Sequence, residues 1–337
     1  MKYTTGEHLD MPLISGGEWD RKVVRIVMET LYNGDTHYVD VPGNAELRAK
    51  IGAYLSSAGI SKGGQILVTA GIQEARFLTV QVLGKSLGKI AFPPVMHPGV
   101  KEVLAVRDLD YVSLEVGTDQ RMLVPPAAVK NTLSDGVKVL YIESPSRLTG
   151  ACYEKAELDD IVSLCKKYDV SVIVDSGLHA LIEGPCDSLA CCIEIDDTIF
   201  VIGEAWPGCG IDDLNIGYIL TSEDMVKKIA TQKQVISICT SAPSQNGAIA
   251  AGSDYKQKHP EIIDGMKKKQ IVLESILKDI GANIFSSPVV SFVVCESNPI
   301  VQKKLDAAKV LYMNSTYFGK PGYIQLPVST EAINNLQ

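Results

Sequence analysis

No lysine occurs between Lys167 and Lys227, so the middle of this chain offers no primary amine for covalent chemistry with a carbonyl. Apolar runs of membrane-spanning length are also missing, and the opening MKYTTGEHLD has no signal-peptide core, so a soluble, cytoplasmic protein with no membrane partner is expected. Long basic runs are absent. Lys267-Lys268-Lys269 is short enough to be a solvated helix face, and 32 Lys and Arg against 40 Asp and Glu leave a net charge of −8, which disfavours nucleic acid as a partner. There is no internal repeat, low-complexity tract or Walker loop, which removes support for a nucleotide hydrolase. Eight cysteines are scattered. Cys186, Cys191 and Cys192 lie near His179 but match no standard zinc spacing, so no metal is expected and the thiols read as reduced. Cys209 reads either as a reactive thiol or as an inert one.

What is present points to a sizeable globular protein. With 337 residues and 46% hydrophobic content the chain can bury an extensive core, and its length suggests two lobes. Between residues 65 and 220 strands alternate with amphipathic helices, the pattern of a parallel sheet covered on both faces. Gln65–Thr69, Gly88–Pro94, Val137–Glu143 and Val170–Val174 read as buried strands, while Ile262, Met266, Ile271, Leu273, Ile276 and Leu277 keep helical spacing up to about Gly281. Ile284–Val294 and Val310–Val328 read as strands of a second, smaller unit. The fold class expected is α/β: a three-layer sandwich with a mainly parallel mixed sheet, plus a smaller α+β domain built from the C-terminus and the N-terminal segment. The boundaries expected are 1–40 for an N-terminal segment packing on the small domain or a dimer partner, 41–255 for the large domain and 256–337 for the small one.

Several segments carry more specific information. Asn44-Ala-Glu-Leu-Arg48 opens an amphipathic helix, Ala70-Gly71-Ile72-Gln73-Glu74-Ala75 forms a strand-to-helix turn, and Ser144-Pro-Ser-Arg-Leu-Thr-Gly150 follows a strand. Asp175 ends another strand, Phe200–Ile219 reads FVIGEAWPGCGIDDLNIGYI, and Gly322-Tyr-Ile-Gln-Leu326 lies near the end. Together these resemble, over nearly the whole chain, the pyridoxal-phosphate-dependent aminotransferase superfamily, class I/II, of aspartate aminotransferase type (fold type I). The resemblance implies pyridoxal phosphate as cofactor, an amino or keto acid as substrate, and a homodimer.

Residue by residue, it places the backbone of Gly71, Ile72 and Gln73 at the cofactor phosphate, where helix N-terminal amides favour an anion. It places His97 (or Met96) at the ring-stacking aromatic, Arg147 at an asparagine facing the phenolic oxygen, and Asp175 at the pyridine nitrogen. Arg147 reads alternatively as a rim arginine, and Asp175 as a helix cap. The framework is kept and the chemistry is not. Pro207 stands eight residues before Asn215, where the family has its Schiff-base lysine, and proline has neither nucleophile nor titratable group. Glu204 and Asn215 stand where a hydroxyl and an arginine grip the phosphate, with Asp212 and Asp213 adding negative charge, and Gln325 stands where an arginine clamps the substrate carboxylate. Leu178 replaces a tyrosine, and His179 beside it is the nearest substitute base.

The expectation is therefore a degenerate member, a pseudoenzyme without standard transamination whose pyridoxal phosphate is noncovalent or absent. Two other readings stay open: an active, lysine-independent pyridoxal or pyridoxamine phosphate enzyme, and a structural subunit without cofactor.

Overall fold

The computed structural model describes residues 21–34, 37–59, 63–84, 89–117, 119–134, 136–184, 194–211 and 214–337. Asp212, Asp213, Cys186, Cys191, Cys192 and the first 20 residues lie outside them. Among the described residues, seven strands form the main sheet: β1 (Gln65–Ala70), β2 (Lys89–Phe92), β3 (Tyr111–Ser113), β4 (Val137–Glu143), β5 (Ser171–Asp175), β6 (Ile199–Glu204) and β7 (Ile216–Thr221). Their spatial order is β1-β7-β6-β5-β4-β2-β3, with β7 antiparallel to both of its neighbours. Pairing runs parallel from β3 through β2, β4 and β5 to β6. The interior strands are apolar along nearly their whole length because helices cover both faces, as expected of parallel sheets.

Among the described residues, helices α1 (Arg21–Tyr32) and α2 (Ala45–Ser57) precede β1, and α3 (Gly71–Gly84), α4 (Pro98–Arg107), α5 (Pro126–Leu133) and α6 (Lys155–Tyr168) lie between strands. One face of the sheet packs Val68, Leu140, Val172 and Val201 with α2, α5 and α6. The other packs Tyr141, Ile173, Phe200 and Ile202 against Ile72, Ala75 and Leu78 of α3 and Val100 and Leu104 of α4. The α1 helix reaches the first of these cores through Val23 and lies against the helix Ala242–Gly252, where Val23 and Val27 crowd the α-carbon of Gly247. Local signals fix the helix starts. Asn44 accepts from the Glu46 amide at the start of α2, and a reciprocal Glu154–Glu157 capping box opens α6.

A second sheet of four antiparallel strands has the order β10-β11-β9-β8, from β8 (Ile284–Phe285), β9 (Phe292–Glu296), β10 (Met313–Asn314) and β11 (Tyr323–Pro327). Helices Tyr255–Asp279, Pro299–Ala307 and Thr330–Leu336 supply its core with Leu273, Leu277, Leu305 and Ile333. The stretch from Val310 to Val328, expected as strand, is interrupted by a 3-10 turn at Ser315–Phe318 where the Asn314 side chain accepts from the Thr316 amide, an asparagine turn that competes with the ladder. Cys152 is disulfide-bonded, which corrects the expectation of reduced thiols throughout, whereas Cys165, Cys209, Cys239 and Cys295 are not in disulfides. Among the described residues, no helix is long and apolar enough to cross a membrane.

The β1–α3 turn has no linker. Ala70 ends the strand and Gly71 begins the helix at φ +72°, a left-handed value that glycine adopts without Cβ strain. On the neighbouring strand, a methyl added to Gly217 would stand 2.5 Å from the Gly71 carbonyl carbon and 2.7 Å from Thr69 Oγ1. Backbone cannot yield there as a flexible side chain would. We expect Gly217→Ala to cost about 1–3 kcal/mol of stability, read as a lowered urea midpoint, by prising β7 from the start of α3.

Candidate functional site

Asp175 ends β5 on the face covered by α3, directly beside Glu143 at the end of β4. Its carboxylate is fully buried. Oδ2 accepts from Arg76 Nη2 at 2.6 Å, Arg76 Nε at 3.1 Å and the Tyr141 hydroxyl at 2.9 Å. Oδ1 accepts from Arg147 Nη2 at 2.9 Å, Arg147 Nε at 3.3 Å and the Gly177 amide at 3.1 Å. Both oxygens are saturated, and both guanidinium groups are buried with them. Burial alone would push the Asp175 carboxyl up, but Arg147 and Arg76 together hold it well below the usual range.

Glu143 forms the second tier. Its oxygens accept from two main-chain amides, His97 at 2.7 Å and Arg147 at 2.9 Å, and so join the start of α4 to the Ser144–Gly150 turn. Burial, and then the neighbouring negative charge of Asp175, push the Glu143 carboxyl up to about 7. His97 caps α4: its Nδ1 accepts from the Gly99 amide at 3.1 Å and contacts Arg76 Nη1 at 3.0 Å. Since both of those neighbours can only donate, Nδ1 is the acceptor and the ring proton sits on Nε2. Burial and the cations Arg76 and Arg147 hold His97 well below its usual range, so the ring is neutral. It is therefore a helix cap and an arginine acceptor.

Around the N-terminus of α3, Glu74 Oε2 accepts from the Ala70 amide at 2.6 Å and from Lys233 Nζ at 2.6 Å, while Oε1 accepts from Ser237. A carboxylate thus already lies at this helix end. The exposed Asn215 side chain stands directly over the Gly71 α-carbon, and Gln73 turns to the Gly99 carbonyl and to Arg76.

These contacts were only partly foreseeable. Arg147 is not at the rim but 4% exposed, folded back from the turn onto Asp175. Arg76 was missed altogether. Its signal was a lone arginine sharing a helix face with Ile72, Thr79 and Val80, an apolar stripe in which a cation requires a buried carboxylate.

A family model described as aminotransferase class I and II matches residues 20–336, nearly the whole chain. The chain belongs to the aminotransferase class I and II family. Among its relatives, an aspartate aminotransferase of Sulfolobus acidocaldarius is 25% identical over 75% of this chain and 64% of its own length, less than two thirds of that relative. An aspartate aminotransferase of Bacillus subtilis is 22% identical over 91% of this chain and 83% of the relative. In three dimensions a variant of Thermus thermophilus aspartate aminotransferase superposes with a TM-score of 0.84, at 19% identity, over 96% of this chain and 94% of the other. That likeness shows the fold, a mixed, mostly parallel sheet between helical layers, as expected from sequence.

In this aminotransferase-family chain the other expected site residues fall as follows. Pro207 lies in the turn after β6, and its carbonyl accepts from the Tyr255 hydroxyl at 2.9 Å. Before it, Trp206 takes φ +55° and buries its ring against Tyr54 and Tyr255. Gln325 on β11 is buried, and its amide donates to the Arg147 and Leu148 carbonyls at 2.8 and 3.1 Å, tying the small sheet to the turn. His179 lines a small cavity with Tyr54, Ser176, Glu204, Trp206 and Tyr218, a cavity to which Asp175 does not contribute. Among the described residues, no group of three or more His, Cys, Asp or Glu is placed to hold a metal.

Proposed function

We propose that this aminotransferase-family chain does not carry out standard transamination and works as a folded scaffold without pyridoxal phosphate. The observation that carries the reading is the saturation of Asp175 by two arginines of the same chain. In an enzyme of this fold a strand-end carboxylate is useful to a pyridine nitrogen only if it can accept a bond from it. Here the six donors from Arg76, Arg147, Tyr141 and Gly177 leave no such capacity.

The remaining residues do not fit the cofactor either. Pro207 supplies no amine, the Ala70 amide is held by Glu74, and a carboxylate at that position repels a phosphate dianion. Lys233 is fully buried with its amine held by Glu74 and Ser237, turned into that ion pair and not towards a cofactor aldehyde. Gln325, occupied by two carbonyls, lacks the charge to clamp a substrate carboxylate. A homodimer, and an amino or keto acid ligand held without chemistry, belong to the same proposal on the strength of the family alone.

The test is a titration of purified protein with pyridoxal phosphate, followed by borohydride and intact mass. We expect no saturable absorption band and no mass gain. A band that saturates, with covalent capture on one lysine, would refute the reading.

A further inference from the structure

The chain contains two Asn-Gly pairs, Asn33-Gly34 and Asn246-Gly247, and the fold treats them in opposite ways. An asparagine before glycine can react with its own backbone, because the glycine amide nitrogen meets no side chain of its own on the way to the asparagine carbonyl carbon. Asn246 and Gly247 lie inside the helix Ala242–Gly252. There the Asn246 side-chain amide donates to Thr30 Oγ1 at 3.3 Å, and Leu214, Val27 and Val23 crowd the Gly247 α-carbon. Neither group can swing without opening that helix. Asn33 and Gly34 lie just past the end of α1, and both are exposed. Gly34 takes φ +69°, with open space where a Cβ would stand. Its amide donates to the Leu31 carbonyl at 3.3 Å, beyond the usual range for such a bond.

We propose that Asn33 is a site of spontaneous deamidation, and that its conversion to aspartate or isoaspartate loosens the last turn of α1 from the helix Ala242–Gly252. In the reaction the deprotonated Gly34 nitrogen bonds to Asn33 Cγ, the Cγ–Nδ2 bond breaks and ammonia leaves, which closes a succinimide ring. Water then opens one of the two imide bonds. One opening restores the main chain as aspartate, and the other routes it through the side chain as isoaspartate. Either product puts a carboxylate at the C-terminal end of α1, where unpaired carbonyls already gather negative charge. It also stands four residues after Glu29, a helical pair of like charge. The turn so weakened is the one that carries Thr30, whose hydroxyl accepts from Asn246 and donates to the Ile26 carbonyl.

The first half is tested by holding purified protein for several days at mildly alkaline pH, then digesting it and reading the peptides by mass spectrometry. The Asn33 peptide should convert, mostly to isoaspartate, and the Asn246 peptide should lag by about tenfold or more, since it reacts only through an opened helix. In urea the two rates should become similar. An unconverted Asn33 peptide, or equal rates in the folded protein, would overturn the proposal. The second half is read from hydrogen exchange of the amides of residues 30–34 in Asn33→Asp, with Asn33→Gln as the neutral control. Exchange there should be about two- to fivefold faster in Asn33→Asp than in the parent or in Asn33→Gln, while β4 and β5 stay unchanged. Equal exchange in all three proteins would overturn the loosening of α1.

Discussion

Replacing Asp175 by alanine should destabilise the protein by about 3–5 kcal/mol, a loss large enough to leave much of it unfolded at ambient temperature. The cause is what remains behind. Arg76 and Arg147 would keep two buried positive charges, 1% and 4% exposed, with their main counter-ion gone and Glu143 directed at main-chain amides. Neither arginine can shed its proton, since a guanidinium's ordinary value lies far above any working pH. The decisive comparison is the triple variant Asp175→Ala, Arg76→Leu, Arg147→Met. Because apolar replacement of a whole buried ionic group is often neutral or stabilising, its urea midpoint should return towards that of the parent, far above the single variant. If the single variant is as stable as the parent, the triad contributes nothing to the fold.

How far the sequence led is clearest at this cluster. Asp175 at a strand end, the helix opening at Gly71 and the turn at Ser144–Gly150 were all legible, because apolar runs, a glycine at a left-handed position and turn residues are local signals. The parallel pairing of β4 with β5 followed from the helix α6 between them. What could not be read was convergence. Arg76 and Arg147 are separated by more than a strand and two helices, and only the register that sets Glu143 beside Asp175 brings both guanidinium groups to one carboxylate. The same limit hid the capping role of His97, which depends on a ring torsion and on an arginine from another helix. Gln325 was legible as a missing arginine but not as a tie between the two sheets, since its partners are main-chain carbonyls that any sequence would provide.

Two titrations in this cluster oppose one another, and separating them gives the second large effect. Glu143 is raised from its ordinary 4.5 to about 7, first by burial and then by Asp175. Between those values the folded state holds a proton that the unfolded state has lost, so this group's contribution is full below pH 4.5 and falls as pH rises to about 7. His97 is lowered from 6.5, first by burial and then by Arg76 and Arg147, so below pH 6.5 the unfolded state holds the extra proton. Its contribution therefore grows as pH rises towards 6.5. Asp175, held below its ordinary 3.8, loses its contribution only at more acid pH, outside this window.

Each slope is bounded by one proton, about 1.4 kcal/mol per pH unit, so the parent profile should be nearly flat from pH 5 to 6.5. Glu143→Gln should unmask the histidine and gain stability with pH, by as much as about 2 kcal/mol over that interval. His97→Asn keeps a side chain that can cap α4 and should show the reverse, losing stability up to about pH 7. Urea midpoints of the three proteins at half-unit steps decide it, and parallel profiles would mean that neither group titrates in this window in the folded protein.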